Sequence, residues 1–146
     1  MSVRAGADRK GLMTRRGLSI GLFGLFGRSA ELRELDKALR SVDLHPNLVT
    51  EAVKLATVNL LREQSPDREL APPSYRAAAE IIAYCMTGAE AFAAANDADL
   101  AAGVERRIEA ALEPGTSLDA KLVLLTLHAR VIQPSVVADF GLESGD

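Results

Sequence analysis

The chain has 146 residues and a mass of 15.5 kDa, enough for one domain with a tail, and at this length about two-thirds of the unfolded surface can be buried. With 48% hydrophobic and 25% charged residues, the composition is that of an ordinary globular protein and excludes a wholly disordered chain, collagen and a disulfide scaffold. The net charge of −3 hides an asymmetry: residues 1–28 carry six basic residues and one acid (net +5), while residues 29–146 carry 11 basic and 19 acidic (net −8).

Three parts are expected: a basic extension over 1–28, a helical domain over 29–142 and a polar tail over 143–146. Residues 1–17 show no apolar period and read as disordered. Next comes the Gly-rich apolar stretch Leu18–Gly27. Its glycines each cost a helix roughly 1 kcal/mol relative to Ala, so the stretch needs a surface to fold against. Arg15, Arg16, Leu18, Leu22, Phe23, Phe26 and Arg28 are therefore candidate contacts with a partner or an anionic membrane surface, with arginines at headgroups and Leu and Phe in the interface. Two readings compete with this. Thr14–Ser19 is similar to a twin-arginine export signal, although Ser19 departs from that pattern and no A-x-A cleavage site follows. Alternatively the stretch is a plain tail covering part of the domain, or the chain starts at Met13.

From Ser29 onward the period is helical. Ser29 is expected to cap a first helix with Leu32, Leu35, Leu39 and Val42 inward and an Asp36–Arg40 pair outside. Pro46 suits the start of a second helix near 47–63, with Val49, Val53, Ala56 and Leu60 buried and Glu51, Lys54 and Thr57 outside. A loop with three prolines spans 65–73, and Ser74 is expected to cap a third helix that buries Ala78, Ile81, Ile82 and Cys85. Thr87–Glu90 matches a capping box, and Asn96-Asp97 marks another restart. Leu100, Val104, Ile108 and Leu112 then line one stripe, Glu113–Gly115 closes that helix, and Ser117 caps the next, near 118–131. A short turn over 135–140 ends at Gly141. No segment alternates with period two. The fold class is all-α: a compact bundle of about five main helices with one or two short ones.

Val42–Val49 echoes Arg130–Val137 in pattern, but two copies 88 positions apart do not make a repeat array, and proline at a helix start is a common solution to a common turn.

Few residues point to chemistry. Cys85 is the sole cysteine, which excludes an internal disulfide and fits a reducing cytoplasm. His45 and His128 share no metal-ligand spacing with each other or with Cys85, and the Gly21–Gly24–Gly27 run lacks the form of a phosphate loop. No metal or cofactor is expected. Cys85 reads first as a buried structural thiol, His45 as a turn residue and His128 as a core histidine bonded to a backbone carbonyl. The sharper alternatives are a scattered enzyme site using His128, Cys85 and Glu80, or a pH-sensitive interface at His128. Glu105, Glu109 and Glu113 form an acidic ridge, read as a solvated face or as a contact for a basic partner. An acidic body argues against nucleic-acid binding.

The expected function is that of a small non-enzymatic interaction protein binding a protein partner or itself in the cytoplasm. A peripheral protein held through residues 15–28 at the inner face of the membrane is the runner-up, and a helical enzyme the third reading. The abundance of Arg over Lys (13 to 4) with Ala and Gly points to a GC-rich bacterial genome.

Overall fold

The structure, a computed structural model, describes residues 28–142. The chain divides into two units, Met1–Arg33 and Glu34–Asp146. The described part of the first is the opening of helix α1, and the remainder of this account concerns the second.

All regular structure among the described residues is helical, as the apolar period predicts. Helix α1 covers 28–41 and is already helical at 28, so Ser29 lies within it and is not its N-cap. Leu35, Ala38 and Leu39 face inward from α1, as does Val42 just after it. The Asp36–Arg40 pair does not form. Asp36 instead accepts from the Lys54 ammonium at 3.2 Å.

Pro46 opens a 3-10 turn, Pro46–Leu48, and not the second helix. The cause lies in the next capping signal: Thr50 accepts from the Val53 N–H at 3.2 Å and starts α2, Glu51–Gln64, three residues later. That start and the docking of α2 onto its neighbours rotate the buried stripe. Val53, Lys54, Thr57, Val58 and Leu61 are buried, whereas Ala56 and Leu60 are half-buried. Lys54 and Thr57 were expected outside. They are tolerated inside because Lys54 pairs with Asp36 and the Thr57 hydroxyl donates to the Val53 carbonyl at 2.8 Å.

Helix α3, Pro72–Thr87, starts two residues ahead of the expected Ser74 cap. Ala71 is its N-cap, and the two prolines fill the first turn, where a missing N–H costs nothing. The break after Thr87 is real but is not a capping box. Gly88 takes φ +96°, a conformation open to glycine, and the Thr87 hydroxyl turns back to the Ala83 carbonyl at 2.7 Å. Helix α4 is Ala89–Ala95, and α5, Ala98–Leu112, is capped by Asp97, which accepts from the Leu100 N–H at 2.6 Å. Ala101, Val104, Ile108 and Ala111 form its buried line, with Leu100 and Leu112 half-buried at the flanks. Ser117 caps α6, Leu118–His128, as expected. The last helix is α7, Pro134–Phe140.

Helix α6 is the hub, packing against α2, α3 and α5, while α3 also touches α2, α4 and α5. This explains why α6 is so rich in apolar residues: with three neighbours, only Lys121 and His128 of this helix are exposed.

The echo between Val42–Val49 and Arg130–Val137 has a local cause. Helices α1 and α6 both end with a non-glycine residue in the left-handed region, Asp43 at φ +64° and Arg130 at φ +62°. In each, the following N–H reaches back five residues: Leu44 to the Leu39 carbonyl and Val131 to the Thr126 carbonyl, both at 3.0 Å. Gly141 closes α7 in the same way, with the Leu142 N–H on the Val137 carbonyl at 2.8 Å. The proline follows three residues after Asp43 and four after Arg130, so the two segments share a type of turn and not a repeat.

Candidate functional site

Of the residues singled out in the extension, Arg15, Arg16, Leu18, Leu22, Phe23 and Phe26 lie outside the described residues. Arg28 is helical and exposed. No helix among the described residues is long and apolar enough to cross a membrane.

The three residues proposed for a scattered enzyme site are not brought together as a catalytic unit. Cys85 is fully buried on α3, and its thiol is pushed up to about 11 by burial, with a hydrogen bond from Thr126 offsetting part of the effect. A thiol so raised is protonated at neutral pH and a poor nucleophile. His128, expected in the core, is exposed instead: it is the last residue of α6 and falls off the buried line of Val123 and Thr126. Glu80 is engaged with cations on two helices. It accepts from Arg76 one turn earlier and from Arg107 of α5, both at 2.9 Å. His45 acts as the turn residue expected of it: its Nδ1 accepts from the Asn47 N–H at 3.1 Å. Among the described residues no group of His, Cys, Asp and Glu is arranged to hold a metal ion.

Arg107 is the residue that sequence reasoning missed. Besides Glu80, its guanidinium reaches Asp119 at 2.9 Å and the Ala77 carbonyl at 3.0 Å, so one side chain of α5 fastens both α3 and α6. The i,i+4 spacing of Arg76 and Glu80 was legible in the sequence, but nothing there joins positions 80, 107 and 119. Two side-chain amides do similar work at helix ends. Asn96 donates to the Val42 and Phe92 carbonyls at 3.1 and 3.2 Å. Gln133 covers the end of α3, its backbone N–H on the Cys85 carbonyl at 2.8 Å and its side chain on the Met86 carbonyl at 2.9 Å.

Two surface features remain. The first is a cleft of about 440 Å³ between the last turns of α1 and the Pro72-Pro73 opening of α3. Ala38, Pro72, Pro73 and Tyr75 supply its apolar lining, and Glu34, Lys37 and Arg76 stand among them. Those charges already have partners: Lys37 pairs with Glu34 at 3.0 Å, and Arg76 holds Glu80 and donates to the Ser41 hydroxyl at 3.3 Å. The second is the outer face of α5. Glu105, Glu109 and Glu113 are all exposed there, as the four-residue spacing predicts. Tyr84 of α3 is buried, 1% exposed, with Phe92 and Phe140 edge-on at ring-centroid distances of 5.7 and 6.3 Å. Burial pushes the phenol up to about 12, and the negative fields of Glu105, Asp139 and Glu109 add to the rise.

No protein-family model, curated protein or solved structure matches this chain. Its functional reading rests on its own residues.

Proposed function

We propose that the chain is a small non-enzymatic helical protein that works by binding, with a protein partner or a second copy as its ligand. The cleft between α1 and α3 carries this reading. Its apolar walls and pre-paired charges suit the side chains of a docked peptide or helix: the recess gains from losing water, and covering it breaks no unpaired ion. Cys85 and Glu80, the chemistry-bearing residues of α3, are occupied in packing and in ion pairs, which further supports a binding role.

The test compares the full-length chain with P73E, which puts a charge on the exposed wall of the cleft at a helix start where acid is favourable. The wild-type chain is expected to retain a stable protein partner, or a dimer in sedimentation, that P73E loses at an unchanged melting temperature. A monodisperse monomer with no co-purifying protein overturns the reading.

The net charge of +5 on residues 1–28 and the apolar stretch Leu18–Gly27 support a second reading, a peripheral protein at an anionic membrane surface. It requires the full chain to float with anionic vesicles at low salt and R15Q/R16Q to float less.

A further inference from the structure

A third surface feature lies at the joint between α1 and α2, where a recess of about 400 Å³ is lined by Arg40, Asp43, Leu44, His45 and Leu48. Leu48 is 64% exposed, the one large hydrophobic residue left in water among the described residues. Single exposed leucines are common on protein surfaces, but this one is held in place. Its N–H donates to the His45 carbonyl at 3.0 Å, the Val49 N–H to the Pro46 carbonyl at 3.0 Å, and the Asn47 N–H to His45 Nδ1 at 3.1 Å. Leu44 and Pro46 are buried on either side of His45, so the turn is anchored and presents Leu48 with little backbone freedom to lose on binding. Arg40 and Asp43 are exposed, of opposite sign and three residues apart, yet neither has an ion pair among the described residues. Asp43 sits past the end of α1 at φ +64°, where the chain has left the helical spacing that would bring it to Arg40.

We propose that a second copy of the chain docks at this recess, through a two-fold interface in which each Leu48 enters the other copy's recess and each Arg40 pairs with the other copy's Asp43. Under a two-fold axis every contact occurs twice with its partners exchanged, so one patch must carry both halves of each contact. This patch does: an apolar projection stands beside a hollow floored by buried Leu44, and one unpaired cation stands beside one unpaired anion. His45 adds a donor. With Nδ1 accepting from Asn47, the neutral ring carries its proton on Nε2, which serves the incoming Asp43 carboxylate. Arg40 balances Asp43, so the patch itself does not add to the repulsion between two bodies that each carry a net −8 over residues 29–146. A contact of this size belongs with the small, reversible interfaces, and the dimer is a weak one. The interface shares no lining residue with the α1/α3 cleft, which stays open to a foreign protein.

Sedimentation equilibrium of the full-length chain over a wide concentration range provides the test. A reversible monomer–dimer equilibrium is expected. L48E weakens it about tenfold or more, and so does R40E or D43K alone, since each charge reversal sets like charges opposite each other twice. An equimolar mixture of R40E and D43K recovers wild-type affinity to within about threefold, because the mixed dimer regains opposite charges at both contacts. Positions 40, 43 and 48 are exposed, and melting temperatures confirm that the variants fold. Where the left-handed φ at 43 keeps D43K from folding, D43N takes its place; it loses about threefold alone, and its mixture with R40E binds more tightly than R40E by itself. A chain that stays monomeric at every concentration, a dimer indifferent to L48E, or a mixture no tighter than its two components overturns the proposal. P73E is expected to keep the dimer, so failure of this interface and failure of the cleft are told apart. A dimer that P73E abolishes and L48E leaves intact puts self-association in the cleft and overturns the proposal as well.

Discussion

Helices α3 and α5 are nearly equal in length, 16 and 15 residues, and lie against each other, yet they treat their ionisable groups in opposite ways. Helix α3 turns its thiol and a phenol inward, where burial holds both in the neutral form. Helix α5 keeps its acids outside and sends one cation, Arg107, inward to meet acids from two other helices. The difference follows from position. A helix with neighbours on several sides has no cheap place for an unpaired charge, whereas a strongly amphipathic one confines its apolar residues to a single line and leaves the opposite face to solvent. At their junction charge is allowed inside only where opposite signs arrive together, as at Glu80, Arg107 and Asp119.

Alkaline titration tests the α3 side of this contrast and carries the largest expected effect. The Cys85 thiol ordinarily titrates near 9 and is raised to about 11, so its neutral form is favoured in the folded state. The resulting stability is complete below pH 9 and lost as pH rises to 11, because the unfolded chain releases its proton first. The loss is about 3 kcal/mol, and Tyr84 adds a second loss between pH 10 and 12. Denaturant midpoints measured across this range should fall more steeply in the wild-type chain than in C85A. Equal slopes would mean that the thiol is not held neutral by burial.

The junction comes next. R107A removes two ion pairs and a bond to the Ala77 carbonyl, leaving Glu80 and Asp119 without their shared cation. Each of these groups keeps some water contact, so the expected destabilisation is about 2 kcal/mol, below that of a fully buried pair. Chemical denaturation of R107A against E105A, an outward neighbour, reads the difference directly. A similar cost for both would erase the distinction between the two faces of α5.

Smaller again is the end of α3. Q133A removes the side-chain bond to the Met86 carbonyl and should cost about 1 kcal/mol, with faster amide exchange in the last turn of α3. The smallest effect has the opposite sign. E109Q relieves repulsion with Glu105 and Glu113 and should raise stability by about 0.3 kcal/mol, an increment that high salt abolishes.

The contrast also shows what could be read in advance. Leu35, Leu39, Ile81, Ile82, Val104 and Ile108 recur at helical spacing, and all are buried. Asp97 and Ser117 announce helix starts because a cap acts within three residues. Ser29 and Ser74 are equally good caps in isolation and are not used. A helix already running at 28 and a pair of prolines at 72 and 73 fix those starts first. His128 has apolar neighbours that point it inward, yet it is exposed, since composition does not say which face of a helix is buried and His128 is off the line of Val123 and Thr126. The exposure of the Glu105–Glu113 ridge was legible from spacing alone. The packing of Tyr84 was not, because no pattern in α3 announces that Phe92 and Phe140 close on its ring.

The sequence by itself determined the helical class, the breaks at Gly88 and Asn96-Asp97, the burial of Val104 and Ile108 at the centre of α5 and the burial of Cys85. Each of these depends on propensity, capping or periodicity within a few residues. Only the tertiary structure decided that Lys54 and Thr57 face inward, that Arg107 fastens three helices, that Asn96 and Gln133 cover distant helix ends, and that Tyr84 packs between Phe92 and Phe140. These are contacts between residues far apart in the chain. They are set by how the helices rotate to bury their shared surface, which local rules do not encode.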